Sequence, residues 1–294
     1  MEPTQKSPLQ TEFDSLAPAL KADRRGFIVG VVASGFALAV QPVAAQSVIK
    51  TPADGLVTGP VDIPAGDITI RAYRAMPAGK GPFPVVMVVE EIFGVHEWVQ
   101  DVCRRFAQAG YLAIAPDLFA RQGDPTTYDS IPKIMENVIA KVPDAQVMRD
   151  LDATAAWAAG NAGDPARLGI TGFCWGGRIA WLYAAHNPKL KAGVAWYGRL
   201  VGQASMLTPK NPIDLVADIK APVLGFYGGK DQGIPVDSVE KMQAALKAAS
   251  SKSETRIYPE ADHGFFADYR PSFNPAAAAD AWPRALNWFK QNGV

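Results

Sequence analysis

Apolar and polar residues follow two different periods along this chain, and the two periods take turns. Residues 67–73 (Asp-Ile-Thr-Ile-Arg-Ala-Tyr) alternate as a half-buried strand does, while residues 85–89 form an unbroken apolar run suited to a strand covered on both faces. Further on, Val99, Val102, Cys103 and Phe106 recur at helical spacing and predict an amphipathic helix over 99–107. The same reading gives strands at 112–115, 167–171, 192–196, 223–227 and 254–258, with helices around 146–159, 177–185, 236–249 and 276–290. Strand and helix in regular alternation predict an α/β fold, a doubly wound, mostly parallel sheet with helices on both faces.

One connection in that alternation carries chemistry. Between the strand at 167–171 and the helix at 177–185 stands Gly172-Phe173-Cys174-Trp175-Gly176, the pattern of a nucleophile elbow with cysteine in the nucleophile position. The elbow sets its nucleophile on a tight strand-to-helix turn, where the flanking positions leave room for little more than glycine. At the first turn of a helix, the dipole and the free amides favour a thiolate. The amide of Trp175 is the expected donor to an oxyanion. The bland alternative, a small buried hydrophobe, does not account for the strand and helix on either side of Cys174.

In such an elbow the acid and the base follow the nucleophile in chain order, and the sequence holds only three histidines. His96 precedes Cys174, and His186, ending the helix after the elbow, reads as a C-terminal cap partner. His263, in a loop directly after the strand at 254–258, is therefore the candidate base. Asp231, in the loop after the strand at 223–227, is the candidate acid. Asp262 adjoins His263, but neighbouring side chains in an extended loop diverge, so it is poorly placed to orient the same ring. Cys174, Asp231 and His263 would all emerge beyond the carboxyl ends of the strands, where open parallel sheets bind ligands.

These residues resemble the dienelactone hydrolases, or carboxymethylenebutenolidases, of the α/β-hydrolase fold, over about residues 65–292. The likeness rests on the elbow with its following Gly177, on Glu90-Glu91-Ile92-Phe93-Gly94-Val95-His96, on residues 115–121 (Ala-Pro-Asp-Leu-Phe-Ala-Arg) and on His263-Gly264-Phe265. The resemblance implies a catalytic triad of Cys174, Asp231 and His263, the same three residues that chain order selects. It also implies a functional Glu91, which helps to generate the thiolate when substrate binds, and a second oxyanion amide from Ile92. A carboxylate at the end of a buried strand is costly unless it is paired or used, which points to Glu91 as well. A solvated loop acid is the alternative.

The pattern departs from the family in one respect. Members that act on anionic lactones hold the substrate carboxylate with arginines, one of them four residues after the catalytic histidine, where this chain has Ala267. The region corresponding to the other, residues 128–141, contains lysines and no arginine. Arg121, Arg199 and Arg270 are the candidate replacements, since a bidentate contact to a carboxylate needs a guanidinium. No metal or other cofactor is expected, because the histidines are dispersed and no carboxylate cluster has ligand spacing.

Composition changes this picture mainly at the start of the chain. The 29 basic and 29 acidic residues are interleaved, the net charge is zero, and no basic face for nucleic acid stands out. Residues 23–28, Asp-Arg-Arg-Gly-Phe-Ile, resemble a twin-arginine signal, an apolar run to Val40 follows, and Val43-Ala44-Ala45 precedes a cut at Gln46. About 14 apolar residues are short for a membrane span of about 20. The expected organisation is a signal peptide over 1–45, a mobile lead-in over 46–66 and one hydrolase domain over 67–294. The protein is expected to be periplasmic or secreted, monomeric, and in contact with the membrane only during export. Cys103, on the apolar face of its helix, is expected to be buried rather than bridged to Cys174. The expected chemistry is hydrolysis of a small-molecule ester or lactone through an acyl-enzyme, with a thioesterase, a peptidase-type acyl hydrolase and a non-catalytic ligand-binding protein as alternatives.

Overall fold

Residues 49–294 are described by a computed structural model, and the signal-peptide reading over 1–45 lies outside them. Eight strands form one sheet in the order β1-β2-β4-β3-β5-β6-β7-β8. Strands β3 (Phe83–Val89), β4 (Leu112–Pro116), β5 (Gly163–Phe173), β6 (Ala192–Trp196), β7 (Val223–Gly228) and β8 (Glu254–Tyr258) run parallel, while β1 (Leu56–Pro64) and β2 (Thr69–Pro77) add antiparallel at one edge. Strands β4, β6 and β7 are buried along their whole length, as apolar runs in a sheet covered on both faces must be.

The crossovers carry helices α1 (Glu97–Gln108), α2 (Ile131–Asn137), α3 (Asp144–Gly160), α4 (Trp175–His186) and α5 (Val236–Ala248), and α6 (Pro275–Gln291) follows β8. Every strand and helix expected from the periodicity is present, with bounds displaced by a few residues. This is the doubly wound, mostly parallel α/β sheet that the alternation predicts.

Residues 51–66 correct the expectation of a mobile lead-in. Leu56–Pro64 is a strand paired with β2 along its full length, from Leu56↔Pro77 to Pro64↔Thr69. Gly59, Pro60 and Pro64 make it read as a loop, but an edge strand bonds on one side only and tolerates a proline whose missing N–H would face solvent.

Helix α4 is the central helix of the fold. All of Trp175 to Ala184 is buried, as expected of a helix that is apolar nearly all round. The exception is Arg178, whose guanidinium forks onto Asp144 at the start of α3 with bonds of 2.7 and 2.8 Å and reaches the Lys210 carbonyl at 2.7 Å. That fork fixes the register between the two helices. Beneath the elbow, Phe173, Trp196, Phe266 and Trp98 pack ring against ring, with the Trp196 and Phe266 centroids 4.2 Å apart. Among the described residues, no helix is long and apolar enough to cross a membrane. A cavity of about 370 Å³ lies where β3 and β5 begin, lined by Val85, Leu168, Ala155 and His186, at the opposite end of the sheet from the elbow.

Candidate active site

Strand β5 ends at Phe173 and α4 begins at Trp175, so Cys174 alone makes the turn between them. It does so with φ +54° and ψ −113°, a left-handed backbone uncommon for a residue with a side chain. Its amide is tied to the Trp196 carbonyl at 3.0 Å, which ties the turn to the end of β6. A Cβ added to Gly176 would stand 2.5 Å from the carbonyl oxygens of both Val89 and Glu90, and one on Gly177 would stand 2.5 Å from that of Trp196. The glycines therefore let α4 start flush against the ends of β3 and β6. Trp175 is the first residue of α4, so its N–H has no acceptor within the helix and is available at the elbow. Ile92 is fully buried in the turn after β3.

His263 and Asp231 come together as chain order predicts. His263 Nδ1 donates to Asp231 Oδ2 at 2.7 Å, and Asp231 Oδ1 accepts the amides of Gly233 at 2.9 Å and Ile234 at 3.0 Å. With Nδ1 committed, Nε2 is the ring nitrogen left for chemistry, and it is buried without a regular hydrogen bond. Burial on its own would depress the imidazole, but Asp231 and the adjoining Cys174 outweigh it and push His263 up to about 10. Asp262, the neighbour of His263 in sequence, is not the residue that reaches the ring.

A second buried cluster adjoins the first. Glu91, without solvent exposure, accepts the Tyr269 hydroxyl on Oε2 in a short hydrogen bond and faces Arg270 Nη2 with Oε1 at 3.1 Å. Arg270 Nε bonds the same hydroxyl at 3.2 Å, and its guanidinium stacks over Phe93 at 5.3 Å. Burial works against the Arg270 cation, but the charge of Glu91 outweighs it and holds the guanidinium above its usual range. Tyr197, which the sequence does not mark, and His96, set aside as a base because it precedes Cys174, complete the cluster. Tyr197, at φ +39°, packs edge-on to the His263 ring at 5.1 Å with its hydroxyl buried and unpartnered. Burial, and next the charge of Glu91, hold that phenol well above its usual range. His96 packs against Trp98 and Tyr269, and burial in the first place, with Arg270 assisting against Glu91, pushes it down to about 4. The only sequence signal for either was position, Tyr197 at a strand end and His96 at the end of the Glu90–His96 segment.

Other expectations are redirected. Arg270, a candidate for holding a substrate carboxylate, is instead the partner of Glu91. Arg121 is spent on Asp150 at 2.6 Å and Asp67 at 2.5 Å, pairs that neither α-helical nor strand periodicity reveals. Arg199 lies half-buried in the loop after β6, its guanidinium close to Gly202. His186 does not cap α4 but pairs with Asp152 of α3 at 2.8 Å, because the last turn of α4 faces α3 there. Cys103 and Cys174 are both buried free thiols, and burial drives Cys103 far above the usual thiol range. Among the described residues, no group of three or more His, Cys, Asp or Glu is arranged to hold a metal ion.

Comparison with known proteins shows the family to which the chain belongs. The model described as "Dienelactone hydrolase family" matches residues 70–293. A Methylorubrum extorquens protein named "Putative carboxymethylenebutenolidase" is 60% identical over 289 residues, covering 97% of this chain and 99% of that one. An Escherichia coli K12 protein of the same name is 56% identical, over 88% of this chain and 96% of its own. The crystal structure named "Putative Dienelactone Hydrolase" from Klebsiella pneumoniae superposes with a TM-score of 0.79 at 57% identity, covering 80% of this chain and 99% of that one.

Proposed function

Because the chain belongs to the dienelactone hydrolase family and is a hydrolase of that kind, we propose that it cleaves a carboxylic ester or lactone with Cys174 as nucleophile. The observation that carries this reading is the His263–Asp231 bond of 2.7 Å, which leaves Nε2 of a raised imidazole beside Cys174 at a strained elbow. In the first half-reaction the Cys174 sulfur forms a bond to the substrate carbonyl carbon, and the π pair moves onto oxygen, where the Trp175 and Ile92 amides receive it. The oxyanion collapses, the C–O bond to the alcohol breaks, and the imidazolium of His263 delivers its proton to the leaving oxygen. Neutral His263 then takes a proton from water, the hydroxide attacks the thioester, and Cys174 departs as thiolate with the imidazolium restored. Asp231 fixes the tautomer through both halves.

Glu91 is the supporting carboxylate in this scheme. Arg270 is engaged by Glu91 and Arg121 by Asp67 and Asp150, so neither is placed to hold a substrate carboxylate. The twin-arginine-like residues 23–28 support export of the folded protein, which fractionation of cells into periplasm and cytoplasm tests directly.

The decisive variant is Cys174→Ala. It is expected to lower turnover of short p-nitrophenyl esters by at least about 10³-fold, as removal of a triad nucleophile does. Full turnover in the variant would reject the assignment. Rates on a dienelactone, a neutral lactone, a thioester and a peptide then identify the bond that is cleaved.

A further inference from the structure

The turn that presents His263 also carries an anchored carboxylate that the chemistry above leaves unused. Residues 264–270 are folded on themselves by backbone bonds from Ala267 N to the Gly264 carbonyl and from Arg270 N to the Ala267 carbonyl, each 2.9 Å. Within that turn Asp268 is 6% exposed. It accepts the backbone N–H of Ile49 at 2.6 Å on Oδ2 and Arg105 Nη2 at 3.2 Å on both oxygens. Arg105 lies on α1 and is held in turn by Asp101 at 2.7 Å, and Asp101 accepts the Thr51 amide at 2.7 Å and its hydroxyl at 3.1 Å.

These contacts close a ring. Glu91 opens the connection from β3 to helix α1, which starts at Glu97, and the last turn of α1 carries Arg105. Arg105 grips Asp268, the residue immediately before Tyr269 and Arg270, and those two grip Glu91. A buried carboxylate is retained only where its partners meet its charge, and here they come from two distant parts of the chain. Displacing Asp268 opens the ring at the point where Tyr269 and Arg270 depend on it. The segment Ile49–Thr51 supplies its second tie.

We propose that Asp268 is a positioning residue for the Cys174 site, holding Tyr269 and Arg270 against Glu91 and fastening them to the N-terminal segment Ile49–Thr51. The proposal rests on the hydrolase reading above.

Two variants of the full chain test it. Asp268→Asn weakens both attachments, whereas Ile49→Pro deletes one backbone donor at a half-exposed position and leaves every acid in place. Asp268→Asn is expected to lower kcat for a p-nitrophenyl ester about tenfold with KM held within about twofold, the scale of loss when a supporting partner of a site is removed. Ile49→Pro is expected to lower kcat in the same sense by about threefold. Both are expected to change the pH profile of Cys174 alkylation by iodoacetamide, a readout that a purely structural staple would not move. If kcat and the alkylation profile match the parent in both variants, with or without a lower melting temperature, Asp268 is a staple and the proposal fails. If the parent itself turns over no ester, the hydrolase reading fails instead, and the alkylation profile still decides the role of Asp268.

Discussion

Glu90 and Glu91 are chain neighbours, both without solvent exposure, and their surroundings treat them differently. Glu91 has a hydroxyl and a guanidinium. Glu90 has one amide, that of Leu118 at 2.9 Å, while its Oε2 is buried and unpartnered. Burial first, and then the charge of Asp117, hold the Glu90 carboxyl well above the usual range despite the Leu118 bond. The folded state therefore keeps a proton that the unfolded chain gives up above about pH 4.5, so this group removes stability as pH rises. Glu90→Gln keeps the Leu118 bond and cannot ionise. It is expected to raise the melting temperature by about 2–4 °C at pH 8, with the difference shrinking toward pH 5. Thermal unfolding of both proteins at the two pH values checks this, and parallel curves would mean that Glu90 is charged in the fold. The sequence distinguished the two acids only through the family resemblance, which assigns a role to Glu91. What decides Glu90 is an amide and a carboxylate from the loop after β4, which no local pattern joins to it. Tyr197 was equally hidden, because a positive φ at a strand end leaves no mark in residue type.

At the scale of elements, the elbow was legible because it is local: a strand, two glycines and a helix within a short stretch of chain. The structure adds the reason for each glycine. Gly176 sits where a methyl would press on the carbonyls at the end of β3, so Gly176→Ala is expected to cost about 2–4 kcal/mol and to shift the urea midpoint down accordingly. Gly160, in the last turn of α3, has nothing within 4 Å of a Cβ and an ordinary φ. Gly160→Ala is therefore expected to be neutral or to stabilise by up to about 1 kcal/mol in the same urea titration. Equal responses at the two positions would show that contact with β3 does not set the requirement. Strand β1 was illegible for the opposite reason. Its glycine and prolines mimic a loop, and only its pairing with β2 reveals a strand.

Over the whole molecule, the parallel sheet followed from alternation, but the antiparallel edge and the meeting of Glu91 with Tyr269 and Arg270 are products of long-range closure. Two buried histidines give that closed structure opposite pH responses. His263 is raised to about 10, so its contribution is complete below about pH 6.5 and is lost as pH climbs toward 10. His96 is depressed to about 4, so the unfolded chain takes up its proton first and stability falls as pH drops from about 6.5 toward 4. Chemical denaturation across pH 4–10 is expected to show a maximum near pH 6–7. His96→Gln should flatten the acid limb and His263→Gln the alkaline limb, and a limb that survives its substitution belongs to other groups. The edge strand β1 has a consequence of its own for the protein in concentrated solution. Pro60 and Pro64 fall on the same side of the backbone ladder, with the exposed carboxylate of Asp62 between them. A neighbouring copy laying a strand along that rim would find donors missing at two positions and a negative charge between them, so cross-β growth from this side of the sheet is interrupted before it starts.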